Sequence, residues 1–292
     1  MAAQLKSRQS AAVRTLNRRI WNVLRLGLGV LWIVDGFLQL KPPMLTSAFV
    51  QRILAGNLGG QPIFVRNLIH YGIGLWSVNF LASGILAALI KFTLGTLLVW
   101  PAASKQRIGI VHTMVWGLIT WIFGEGFGMI FIPGAASFAA GAPGSVLFYV
   151  VIAALLYGGW NDWYARLRRV MGVLWAGAFA YQLAILLWAP STSFVNTALS
   201  ASTNPVANNI VVTIVFAVFL AFWSIGKLSR PIIVAAMVWW FILWGAVMGF
   251  GWGVMSTDPN SGPLWILLLI AQYMSLPRES TPSVPRTRPQ AS

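Results

Sequence analysis

Apolar residues in this chain fall into long unbroken runs separated by short charged or turn-forming segments. Crossing a hydrocarbon layer takes about 20 apolar residues. Runs that meet this length, or approach it, occupy about 20–40, 78–99, 107–124, 144–159, 168–188, 207–226, 231–250 and 263–276. They predict an all-α membrane protein with about eight transmembrane helices. Two stretches between the first two runs, "MLTSAFVQRIL" and "IFVRNLIHYGIGLW", are too short or too polar to cross. They predict short amphipathic helices along the outer surface, the second with Arg66 and His70 one turn apart. The last segment, "PRESTPSVPRTRPQAS", is rich in Pro, Ser and charge, a composition that predicts disorder.

Composition agrees with this pattern. Of 292 residues, 58% are hydrophobic and only 9% charged, and the mean hydropathy is +0.75. A net charge of +15 would point to nucleic acid in a soluble protein, but here the basic residues punctuate the apolar runs, so the predicted partner is the lipid bilayer and not nucleic acid. Alternate connections hold the basic clusters: Arg8, Arg14, Arg18, Arg19 and Arg25; Lys105 and Arg107; Arg166, Arg168 and Arg169; Lys227 and Arg230; Arg278, Arg286 and Arg288. The positive-inside rule then puts both termini in the cytoplasm, in the inner membrane of a prokaryote. Trp21, Trp100, Trp160 and Trp163 are expected at the inner boundary, and Trp76, Trp188, Trp252 and Trp265 at the outer one. The first run follows an Arg-rich arm and lacks a small-residue cleavage site, so it reads as a retained anchor. With no cysteine, disulfides, thiolate metal sites and dithiol chemistry are excluded.

The chain also repeats itself. "GVLWIVDGFLQL" (29–40) matches "GVLWAGAFAYQL" (172–183), and "MVWGLITWIFGEGFG" (114–128) matches "MVWWFILWGAVMGFG" (237–251), both without a gap. Two tandem four-helix units follow: a basic arm at 1–19, a first unit at 20–160, a second at 161–276 and a tail at 277–292. Positions shared by the halves are mostly Gly, Trp and aliphatic. The ionisable ones differ: Asp35 corresponds to Ala178, His112 to Ala235 and Glu125 to Met248. Buried charge is expensive at membrane depth, so ionisable groups confined to the first half point to chemistry there and to a scaffold role for the second.

Depth along each helix sorts these groups into two levels. Asp35 and Gln39, one turn apart on the first helix, share an outer level with Glu125, which closes the third. Lys41, Arg66 and His70 lie on the outer segments and, with Gln39, are candidate substrate-binding groups. His112 and Lys91 form a second, inner level, as candidate quinone contacts with His112 able to carry protons. Each has a structural alternative. Asp35 could bond a neighbouring Trp, Gln or backbone group, Glu125 could cap a helix end, and His112 could bond a carbonyl. Lys91 could snorkel toward the cytoplasm, and His70 could be an ordinary interfacial residue. No metal spacing is present, and His112 and Glu125, 13 residues apart on one helix, are roughly 20 Å distant. The string "GEGFG" ends a helix instead of opening one after a strand, so it is not a nucleotide loop. Short last helices after "GAPGS" and "STDPNSGP" predict an outward-facing vestibule; the structural alternative is that these loops only terminate helices, Asp258 and Asn260 making an ordinary turn.

The opening "LRLGLGVLWIVDGFLQLKPPM", with its Arg-led glycine-rich helix and following amphipathic segment, resembles the DoxX/DoxD-like four-helix membrane proteins. The endings "FGEGFG…GAPGS" and "GFGWG…TDPNSGP" look like a tandem subgroup of that family. The resemblance implies a subunit of a membrane redox or respiratory complex, of the thiosulfate:quinone oxidoreductase kind. It also implies other membrane-protein subunits as partners and quinone as the cofactor, with Asp35, Glu125 or His112 handling protons. A non-catalytic assembly subunit and a small-solute or ion carrier are the competing expectations.

Overall fold

The computed structural model of the chain describes residues 2–132, 142–159, 162–189 and 204–276. All the regular structure among these residues is helical. Five helices are long and apolar enough to cross a membrane: Ala11–Gln39, Phe80–Val99, Ala103–Gly124, Trp163–Trp188 and Val206–Ser224. Three shorter apolar helices, Ser145–Tyr157, Arg230–Ala246 and Gly262–Ser275, occupy the remaining expected runs. The chain is therefore a multi-pass membrane protein. At about 1.5 Å per residue, a 13- or 14-residue helix falls well short of a layer about 30 Å thick.

In chain order the helices are α1 (Ala2–Gln39), α2 (Ser47–Phe49), α3 (Ile63–Ser77), α4 (Phe80–Val99), α5 (Ala103–Ile119), α6 (Ser145–Tyr157), α7 (Trp163–Trp188), α8 (Pro205–Ser224), α9 (Arg230–Ala246) and α10 (Gly262–Ser275). We call the side on which α1 ends the outer side. The basic arm is no separate element. Residues 2–19 contain neither Gly nor Pro, and they continue α1 without a break. The first outer segment is helical but irregular, running from α2 through a π turn, Val50–Leu54, into a 3-10 turn, Ala55–Leu58. Its apolar face, Met44, Phe49, Val50 and Leu54, packs with Trp76 and Phe80. The expected tail, the loop 133–141 before α6 and the outer segment 190–203 of the second half lie outside the described residues.

Two packing features position the site. Helices α1 and α4 cross where a Cβ on Gly95 would stand 2.7 Å from the Gly29 carbonyl oxygen and one on Gly29 would stand 3.1 Å from that of Gly95. Only small residues permit this approach, which is the general device of close helix pairs in membranes. It sets the outer third of α1 alongside Lys91, one turn from Gly95. The last helix, α10, then packs against α1, α6 and α7, joining the halves. Its Trp265 stacks on Trp240 at 4.3 Å and lies 5.1 Å from Trp175. Of the tryptophans expected at the boundaries, Trp21, Trp163 and Trp265 are buried within the chain, Trp100, Trp188 and Trp252 are exposed, and Trp160 lies outside the described residues. Large apolar area drew the first three inward; their spacing alone did not distinguish the two sets.

Candidate functional site

The "GEGFG" stretch is built by its backbone. Helix α5 ends in a π turn, Thr120–Gly124, closed by the Glu125 amide donating to the Thr120 carbonyl at 2.9 Å. A left-handed turn follows at once, with Phe127 at φ 59° and Gly128 at φ 60°. L side chains pay about 1–2 kcal/mol per residue in this region, which accounts for the glycines. A Cβ on Gly128 would also collide with Pro143. The same construction recurs in the second half. Phe250 has φ 55°, and a Cβ on Gly251 would collide with Pro259. Trp121 Nε1 donates to the Pro143 carbonyl at 2.6 Å, and Trp244 Nε1 to the Pro259 carbonyl at 2.7 Å.

Glu125 leaves this turn toward the start of α6. Its Oε1 accepts the Ser145 hydroxyl at 3.1 Å, and the Val146 amide also bonds the carboxylate. A side chain at Gly144 would collide with Oε2. Glu125 is thus a cap on α6, where a carboxylate satisfies free amides and complements the helix dipole. In the second half Met248 approaches Ser261 without capping, its sulfur 3.9 Å from the hydroxyl, and Asn260 Oδ1 accepts the Ser261 amide at 2.8 Å. One oxygen of Glu125, Oε2, is buried with no hydrogen-bond partner.

That oxygen belongs to a larger arrangement. A cavity of about 470 Å³ lies between α1, α3, α4 and α5, with walls that include Trp32, Phe49, Trp76, Trp116 and Phe123. Asp35, Gln39, Lys91, Glu125 and Asp258 also line it. The whole chain has five acidic residues, and three of them face this one space. Asp35 is 1% exposed, with the Tyr149 hydroxyl as hydrogen-bonding neighbour of its carboxylate and the Lys91 ammonium close enough to act on its charge. Lys91 Nζ donates to Gln39 Oε1 and to the Thr257 carbonyl, both at 3.1 Å. Gln39 Nε2, Trp76 Nε1 and Trp116 Nε1 are buried donors without a partner.

The second half closes the outer end. Lys41 Nζ donates to the carbonyls of Gly253 at 2.7 Å and Ser256 at 2.9 Å, while Met255 packs into the cluster around Phe49. Partial burial pulls the Lys41 ammonium below the ordinary lysine value, with Asp258 acting in the opposite sense. Asp258 forms the expected turn, accepting the Asn260 amide at 2.6 Å, and also faces the cavity. On the flank, Tyr71, Leu75, Leu86 and Ile119 line the cavity and are themselves exposed. The exposed flank of the mouth is therefore mostly apolar.

The structure brings together Asp35, Gln39 and Glu125 as the depth argument expected, and adds Lys91. That lysine does not share a level with His112. Side chains on a helix lean toward its N-terminus, and the N-terminus of α4 is outer, so Lys91 reaches outward and not toward the cytoplasm. His112 is exposed on α5, its Nδ1 2.9 Å from the Ile108 carbonyl of its own helix, and its counterpart Ala235 is exposed as well. Arg66 and His70 are exposed on α3 and do not line the cavity, and Lys41 is engaged by the second-half loop. Asp258 was missed as a site residue; the scarcity of acids in the chain was the signal that could have found it. No cluster of three His, Cys, Asp or Glu placed to hold a metal occurs among the described residues. Comparison of the chain with protein-family models, with curated proteins and with solved structures gives no match.

Proposed function

We propose that this chain is a subunit of a membrane redox complex that holds a quinone or quinol in the cavity between α1, α3, α4 and α5. The observation that carries the reading is the convergence of three of five acids and a buried lysine at one end of a cavity whose exposed flank is mostly apolar. A ligand entering such a mouth is dissolved in the bilayer, apolar along most of its length and hydrogen-bonding at one end. Among the cavity-lining residues, the buried donors on Gln39, Trp76 and Trp116 suit carbonyl oxygens, and the carboxylates of Asp35 and Glu125 suit hydroxyls. A neutral ester would use only the donors; a ring that interconverts between carbonyl and hydroxyl forms uses both. When bound, a quinone supplies two-electron, two-proton chemistry. Asp35 exchanges a proton with the ring, Lys91 balances the carboxylate charge left when the proton departs, and the aromatic walls exclude water. The resemblance to DoxX/DoxD-like proteins supports the reading. Lys41, Arg66 and His70, expected to bind substrate, do not line the cavity, so the reading rests on the quinone end, with electrons exchanged through a partner subunit.

The same reading takes the fold as two four-helix units, α1 with α4 to α6 and α7 to α10. The shorter helices then complete their crossings with the turns beside them. Support comes from the paired left-handed turns, the paired Trp-to-Pro hydrogen bonds and the apolar second-half counterparts Ala178 and Met248. The second unit is scaffold and lid. The basic boundaries favour a cytoplasmic membrane with both termini inside.

Purification from native membranes without added quinone, followed by solvent extraction and mass spectrometry, tests the site. About one isoprenoid quinone per chain is expected, and Ala87→Phe, which fills the cavity wall, should remove it. An extract free of quinone, with no quinone-dependent turnover in the isolated complex, sinks the proposal. The closure of a first-half site by a second-half loop also favours a second reading, a small-solute carrier. Uptake into sealed liposomes abolished by Asp35→Asn would support that alternative, and an impermeable protein would remove it.

A further inference from the structure

A second opening lies at the opposite membrane boundary, where the start of α7 meets the end of α8. It is a groove of about 760 Å³ whose lining includes Tyr164, Arg168, Arg169, Gly172, Leu220 and Trp223. We infer that this groove binds an anionic phospholipid, with the phosphate between Arg168 and Arg169 and one acyl chain along Gly172 and Ala176.

The neighbouring arginines show what is unusual about these two. Arg166 donates to the carbonyls of Gly159 at 2.5 Å and Leu155 at 3.0 Å, and its guanidinium lies 5.3 Å from the Trp163 ring centroid. Arg25 donates to the Leu98 carbonyl and faces Trp21, Arg107 faces Tyr157, and Arg230 faces Tyr273. Each is engaged by the fold. Arg168 and Arg169 make no hydrogen bond, ion pair or ring contact among the described residues, and both line the groove. Arg168 leans over Gly226, just past the end of α8, with Nη2 3.0 Å from where a Cβ there would stand. Two planar guanidiniums with free donors are the usual means of holding a phosphate.

The floor supplies the apolar half of the ligand. A Cβ on Gly172 would meet nothing within 4 Å, and Val173 is 72% exposed. Gly172 and Ala176 are one turn apart, so they leave a shallow strip open to the bilayer. From Arg168 to Ala176 the helix rises roughly 12 Å, enough to pass from headgroup level to acyl chains. Trp223, 2% exposed, closes the groove on the α8 side with apolar surface. Basic pockets between transmembrane helices are recurrent sites for anionic headgroups.

The test is titration of the full chain in detergent with fluorescent phosphatidylglycerol. Variants are taken forward when their circular dichroism and elution volume match the wild type. Arg168→Gln with Arg169→Gln should weaken binding roughly 30-fold, the loss of two surface basic contacts. Gly172→Leu, which keeps both charges and fills the strip, should weaken it as well. The exposed pair Arg18→Gln with Arg19→Gln should leave binding unchanged, and phosphatidylcholine should bind far more weakly. Wild-type affinity in both the double-arginine and Gly172→Leu variants overturns the site. So does equal affinity for phosphatidylcholine, or displacement of the lipid by millimolar inorganic phosphate.

Discussion

Replacing Lys91 by methionine is the sharpest perturbation of the buried cluster. Methionine has nearly the same length and is apolar, so the change removes charge and donors while conserving most of the volume. It deletes two hydrogen bonds, to Gln39 Oε1 and the Thr257 carbonyl. It also leaves Asp35, 1% exposed, without its compensating cation. No ion pair joins the two side chains, so the cost is the loss of two hydrogen bonds from a charged donor together with removal of the nearest cation from a buried carboxylate, about 3–5 kcal/mol in all. At roughly 2–4 °C per kcal/mol for a chain of this size, the apparent Tm in nanodiscs should fall by about 6–20 °C. Adding Asp35→Asn removes the uncompensated charge, so the double variant should recover more than half of the loss, a coupling characteristic of residues in one electrostatic network. Differential scanning fluorimetry of the four proteins in the cycle reads this directly. No shift in Lys91→Met, or strictly additive losses in the double variant, would refute the electrostatic link between α1 and α4.

Three further outcomes follow from the geometry. Trp121→Phe and Trp244→Phe each lose one hydrogen bond to a proline carbonyl, and each should cost about 1 kcal/mol in thermal unfolding; a loss in only one would break the correspondence of the halves. Glu125→Met imports the second-half residue and should cost about 1 kcal/mol through loss of the α6 cap, while Glu125→Gln, which still accepts from Ser145, should cost less. His112→Ala should change stability by less than about 0.5 kcal/mol and leave quinone content unaltered, since the side chain is exposed and outside the cavity; loss of bound quinone in that variant would reinstate an inner site.

The parts of the fold legible in the sequence were those set by bulk hydrophobicity and backbone strain. Apolar runs marked the helices, and the recurring "GFG" marked a turn that neither half can build from ordinary residues. Helical rise alone was enough to group Asp35, Gln39 and Glu125. Lys91 is counted to the inner half by its place along α4, but its side chain leans toward the outer N-terminus of that helix, so it acts at the outer level. Asp258 was hidden for another reason. A turn-forming Asp looks the same whether or not its loop dips between helices, and here that loop is drawn in by Lys41 and Lys91 from the other half of the chain. The tryptophans show the same ambiguity, because one residue type serves both interface and core.

The central claim is that the cavity beside Asp35 holds a bilayer-borne quinone, and Trp32, Trp76 and Trp116 on its walls provide an intrinsic reporter. Titrating a short-chain quinone into the protein in nanodiscs while following tryptophan fluorescence should give quenching that saturates at one quinone per chain. Ala87→Phe should abolish the saturable component, and Asp35→Asn should weaken it. Quenching that rises linearly with quinone and is identical in wild type and Ala87→Phe would contradict the account.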